Sequence, residues 1–160
     1  MVILGLDPGT ARIGYGIIKK DRIFSLLDCG ILKITKGDNA DRLMEAADHL
    51  RLILEKYRPN LLAVEKLFFM KNQKTAMAVA EVRGALIMLS KEAGVRIAEY
   101  APTEIKKAVA GSGRADKKAV GKMVKFALSL KNIPGPDDIT DAIAVALTAG
   151  YDFEYRVALT

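Results

Sequence analysis

The strongest constraint on the fold is a change of hydrophobic period near residue 38. Before it, Val2 to Asp7, Ile13 to Lys19 and Ile23 to Ile34 are apolar, β-branched runs parted by Asp-Pro-Gly and by Lys20-Asp21-Arg22, which predicts three strands paired antiparallel. After it, Leu43, Ala46, Ala47, Leu50, Ile53, Leu54 and Tyr57 recur at three-and-four spacing, so Asp38 to Tyr57 predicts an amphipathic helix stopped by Pro59. Strands and helices then alternate: Leu61 to Glu65 as a strand, about Thr75 to Ala93 as a helix, Val95 to Tyr100 as a strand. Three helices follow, one opened by Pro102 and Thr103, one over Lys117 to Leu130, and one from Asp138 to Ala149. A strand reached through a helical crossover lies parallel in the same sheet. The prediction is an α/β fold: a mixed five-stranded sheet, three antiparallel strands then two parallel, flanked by helices, with the fourth strand beside the first. Residues 1–150 are expected to form one domain, and Tyr151 to Thr160 shows no legible pattern.

Within the second helix, Ala76 to Ala80 and Gly84 to Leu89 are apolar on nearly every side. One core-facing stripe does not need that much apolar surface, so a second covered face, and hence a homodimer, is expected.

Charge narrows the partner. The chain carries 25 Lys and Arg against 19 Asp and Glu, a net +6. Residues 104–125 hold seven basic residues (Lys106, Lys107, Arg114, Lys117, Lys118, Lys122 and Lys125) and two acidic ones, five of those six net charges. Such a local excess favours a polyanion, although a basic run also describes an ordinary solvated helix face. Gly111-Ser112-Gly113-Arg114 lies between two basic pairs, where a phosphate can approach the backbone, so Lys106, Lys107, Arg114, Lys117 and Lys118 are expected to bind DNA. Cys29 is the only cysteine, which excludes an internal disulfide and a multi-cysteine zinc site. That fits a reducing, cytoplasmic setting. Charges interrupt every apolar stretch well short of the ~20 residues a membrane span needs.

The chemistry is expected at four acids. Asp7 ends the first strand and Glu65 the fourth; if those strands are parallel neighbours, both carboxylates leave the same edge of the sheet, where open α/β sheets place their sites. Asp138 and Asp141 stand three apart at a helix start and share a face. Each has a plainer reading: Asp7 before Pro-Gly as a turn former, Glu65 as a partner of Lys66, Asp138 and Asp141 as caps, with Asp137 only a cap. Together they form an oxygen-only donor set suited to Mg²⁺, or to Mn²⁺ in its place. Two such ions roughly 3.5 to 4 Å apart can drive phosphodiester hydrolysis. Phe68, Phe69 and Met70 follow Glu65 between Lys66, Lys71 and Lys74; they are either buried under the next helix or an aromatic wedge on bases, with Lys71 beside it on phosphate. No Walker or dinucleotide-binding glycine pattern is present.

An ordered set of motifs resembles the RuvC family of Holliday-junction resolvases. The set is Gly5-Leu6-Asp7-Pro8-Gly9 with Gly14-Tyr15-Gly16, Val64-Glu65 with Phe68 and Lys71-Asn72, Arg83-Gly84, Glu99-Tyr100, Lys106 through Val109-Ala110-Gly111-Ser112-Gly113 to Lys117, and Asp138-Ile139-Thr140-Asp141-Ala142. The resemblance implies a ribonuclease H-like fold, a homodimer, and paired nicks at a four-way junction in DNA recombination and repair. It also implies that Asp7, Glu65, Asp138 and Asp141 are metal ligands, that Phe68 inserts into the junction, that Lys106 and Lys117 bind DNA, and that RuvA- and RuvB-type branch-migration proteins are partners. Some relatives have histidine at the place of Asp138; here the sole histidine, His49, falls mid-helix elsewhere and is expected at the surface. The competing readings are a ribonuclease H-like nuclease acting on RNA or RNA–DNA hybrids, a junction-binding module without catalysis, and an actin-like ATPase, for which the chain is short.

Overall fold

The computed structural model describes residues 1–35, 37–67 and 73–158, with the side chains of 73–74 and 154–158 excepted. The chain runs β1 (Val2–Asp7), β2 (Arg12–Lys20), β3 (Phe24–Lys33), α1 (Asn39–Tyr57), β4 (Leu61–Glu65), α2 (Gln73–Glu92), β5 (Arg96–Tyr100), α3 (Pro102–Ala110), α4 (Lys117–Ala127) and α5 (Asp137–Ala158). The sheet order is β3-β2-β1-β4-β5. β1, β2 and β3 pair antiparallel, while β4 is parallel to β1 and β5 to β4. The predicted sheet, its mixed sense and the β1–β4 neighbourhood are all present, in a ribonuclease H-like arrangement.

Strand periodicity decides which residues face which layer. Ile3 on β1 and Leu61 and Ala63 on β4 pack into one cluster with α3, α4 and α5; Leu4, Leu6 and Leu62 pack into the opposite one with α1 and α2. Asp7 and Glu65 continue the first set, so both fall on the α5 side. Every residue from Ala142 to Gly150 is buried, and α5 lies across β1, β2 and β4. Each fully buried Ile or Leu here contributes about 1.5–3 kcal/mol relative to exposure.

Local chemistry sets the helix starts. Asp38 caps α1 by accepting from the Asp41 amide at 2.8 Å, and Asp116 caps α4 by accepting from Ala119 at 2.7 Å. Gly111 ends α3 at φ 77°, which a side chain would resist.

The structure corrects the sequence in three places. α5 does not stop near residue 149 but continues to Ala158, so the stretch after 150 is helical as far as it is described. Gly150 looks like a stop, yet it serves close packing: a Cβ there would lie 2.4 Å from the Phe24 ring, and its carbonyl accepts from Lys20 at 2.7 Å. α4 ends at Ala127, three residues early, because Ser129 adopts φ 53°. His49 is half-buried rather than exposed, since it borders the α1 stripe containing Leu50.

Candidate active site

The last β1–β4 pair is Leu6 with Val64, so Asp7 and Glu65 are the next residues along two adjacent parallel strands. Asp7 is also the partner of Gly14 across the β1–β2 pair. The start of α5 comes down directly over this corner: a Cβ on Gly14 would lie 2.1 Å from the Asp138 carbonyl oxygen, and one on Gly5 1.9 Å from that of Ala142. Glycine alone leaves room for that approach. It brings the start of α5, with Asp138 and Asp141, to the strand ends.

Electrostatics register the convergence. The Asp7 carboxyl is pushed up to about 7 by burial first, then by the charges of Asp141, Asp138 and Glu65, against an opposing pull from Lys117. Glu65 is raised by burial and then by Asp141, while Lys106 and Lys117 pull it down. A cavity of about 350 Å³ is lined by Asp7, Glu65, Asp141, Lys106, Lys117, Pro102, Ile105, Val120 and Ala144. A hollow of similar size, about 370 Å³, lies at the β5 edge between Tyr100 and Phe153, away from these acids.

Cations already answer part of the charge. Lys117 places its ammonium 3.2 Å from Asp141 and 4.0 Å from Asp137. Arg12 reaches Asp138 with Nη2 at 3.1 Å and Nε at 3.3 Å, and Asp138 does not line the cavity. Among the described residues no three acidic, histidine or cysteine side chains are already drawn together as an ion shell. The donor chemistry nevertheless fits a hard divalent ion: burial and the charges of Asp141, Asp138 and Glu65 raise Asp7 to about 7 against the single opposing pull of Lys117, and a cation held by these oxygens would relieve that strain.

Of the other expected residues, Lys106 is half-buried on the cavity wall, and Lys107, Arg114, Lys117 and Lys118 are exposed around α3 and α4. Phe68, Phe69 and Lys71 lie outside the described residues. Sequence reasoning missed Arg12; its signal was a basic residue returning on β2 just after the Asp7 turn. It also left Arg83 without a role.

Strand order, helix layers and the corner where β1, β4 and α5 meet define a member of the ribonuclease H-like class with its acids gathered at one sheet edge. A family model described as crossover junction endodeoxyribonuclease RuvC matches residues 3–149. A RuvC of Prochlorococcus marinus is 48% identical over 151 residues, 92% of this chain and 97% of its own length. The Petrotoga mobilis RuvC is 44% identical over 152 residues, 94% and 93% of the two chains. The solved structure of T. thermophilus RuvC in complex with Holliday junction substrate superposes with a TM-score of 0.88 at 30% identity, covering 97% of this chain and 96% of that one. This chain belongs to the RuvC family of crossover junction endodeoxyribonucleases. The activity expected from its motifs is the family's own.

Proposed function

We propose that this chain resolves four-way DNA junctions by hydrolysing phosphodiesters at the β1–β4–α5 corner, with Asp7, Glu65, Asp138 and Asp141 holding Mg²⁺, or Mn²⁺ in its place, as a pair of ions. The observation that carries the reading is Asp7: one step past the Leu6–Val64 pair, and raised to about 7 by burial first and then by the charges of Asp141, Asp138 and Glu65. Asp7, Glu65 and Asp141 share one cavity wall with Asp138 close enough to act on Asp7, and carboxylates so grouped are stabilised by added positive charge. When bound, divalent ions make water a better nucleophile and offset charge building on the scissile phosphate.

The chain's own residues do the rest. Lys106 and Lys117, at the cavity wall, meet the phosphate beside the cut. Lys117 and Arg12, paired here with Asp141 and Asp138, would be free to turn toward DNA phosphate once divalent ions took over the charge of those acids. Lys107, Arg114 and Lys118 hold the flanking backbone, and Phe68 and Phe69 engage the unpaired bases of the junction centre, with Lys71 on the phosphate beside them.

A homodimer along α2 brings two such corners to one junction. Supporting it, Val79, Val82 and Leu86 are buried against the core while Met77 and Met88 are 67% and 59% exposed, and nothing lies within 4 Å of a Cβ on Gly84 between them. Branch-migration proteins of the RuvA and RuvB type act with it at the junction, in the cytoplasm, and residues 1–150 with the continuation of α5 form the nuclease unit. No helix of the described residues is long and apolar enough to cross a membrane.

The test is nick mapping on synthetic four-way junctions with Mg²⁺ and with a chelator. Symmetric nicks that vanish with the chelator are expected. Equal cutting of RNA–DNA hybrids would favour the broader nuclease reading, and metal-independent cutting would end this one.

A further inference from the structure

β4 delivers Glu65 at its very end, where the sheet ladder no longer holds the chain on both sides. Pairing with β1 stops one residue earlier, at Leu6 and Val64. On the β5 side the Lys66 amide still donates to the Tyr100 carbonyl at 2.8 Å. The carbonyl of Glu65 itself accepts from outside the sheet, from Nε of Arg83 on α2 at 2.9 Å. Nη2 of the same guanidinium is ion-paired with the Glu99 carboxylate on β5. Arg83 is well covered, its side chain 14% exposed, and Glu99 less so at 43%. One rigid planar fork therefore ties the end of β4, the neighbouring strand and the helix that follows the Phe68 segment.

Neither residue lines the acid-bearing cavity, so neither meets substrate or ion directly. Their influence passes through the Glu65 peptide: turning that carbonyl redirects the adjoining Cα–Cβ bond and swings the carboxylate by a distance that matters for ligation. Lysine at the same place offers one mobile ammonium and cannot bridge both acceptors in a fixed plane.

We propose that Arg83, held by Glu99, is a positioning residue that aims the Glu65 carboxylate at the divalent-ion site. The proposal rests on the acid-site reading above and adds a dedicated support for one ligand. It also gives a role to Arg83 and Glu99, which the acid-site reading leaves unassigned.

The experiment compares wild type, Arg83→Lys, Glu99→Gln and Asp7→Asn in the full chain. Glu99→Gln keeps side-chain shape at a half-exposed site, so it reports even if the arginine variant folds poorly. Junction affinity without metal should stay within about two-fold of wild type. Both variants should need roughly 10–100-fold more Mg²⁺ for half-maximal cleavage. The Mg²⁺-induced rise in melting temperature of the DNA-free protein should shrink in parallel. Lower melting temperature with unchanged Mg²⁺ dependence would reduce the pair to a structural tie and overturn the proposal. Cleavage by Asp7→Asn would instead show that the acid-site reading itself had failed.

Discussion

Gly5 of β1 and Ala142 of α5 meet backbone to backbone: a Cβ at Gly5 would sit 1.9 Å from the Ala142 carbonyl oxygen and 2.9 Å from the Ala146 methyl. Neither neighbour yields cheaply, because one is helix backbone and the other is fixed on the same buried helix. This contact sets the height of α5 above the sheet and so the distance from Asp138 and Asp141 to Asp7.

Gly5→Ala is therefore expected to lose at least the ~1–3 kcal/mol typical of overpacking. Cleavage should fall further than the folded fraction does, since α5 is lifted off the strand ends. Denaturant melts with parallel cleavage assays check this; unchanged stability and activity would show that α5 does not bear on the site through this contact.

Metal-free stability should depend on pH in a particular direction. The folded chain holds the Asp7 proton up to about pH 7, whereas the unfolded chain releases it near 3.8. Between those values the folded state binds more protons, so stability falls as pH rises through that window. Glu65 acts in the same sense. Mg²⁺ favours the ionised acids, and the melting-temperature gain it produces should grow from pH 5 to pH 8. A pH-independent gain would mean that these acids do not take up the ion.

The lysines should divide by position. Lys106→Ala, on the cavity wall, is expected to lower the cleavage rate more than junction affinity. Lys107→Ala, Arg114→Ala and Lys118→Ala, at exposed sites, should weaken binding and each reduce the salt slope by about 0.9. Salt-dependent binding isotherms separate the two groups.

Gly84→Arg places a charge in the open space between Met77 and Met88 and should yield monomers that nick junctions without pairing the two cuts. Sedimentation and nick mapping report the two effects independently. A dimer that persists would move the interface off α2.

Much of this was legible in the chain because its periods are clean. The switch from period two to period 3.6 located β1 to β3 and α1, and the acids at strand ends marked the corner before any packing was known. What stayed hidden depends on contacts between distant elements. Gly150 reads as a helix stop until Phe24 and Lys20 are seen against it. Gly5 and Gly14 stand inside strands with no evident purpose until α5 lies across them. Arg12 and Arg83 stand at places the sequence marks, but without a partner; only the fold brings one to Asp138 and the other to the carbonyl of Glu65.

The most direct measurement is single-turnover cleavage of a synthetic four-way junction in Mg²⁺ by wild type and by Asp7→Asn, Glu65→Gln, Asp138→Asn and Asp141→Asn, each with its metal-free junction affinity. If the four acids act as one ion-holding centre, every variant binds the junction as wild type does and loses at least about 10²-fold in cleavage rate. A variant at any of the four that cuts at the wild-type rate would contradict it.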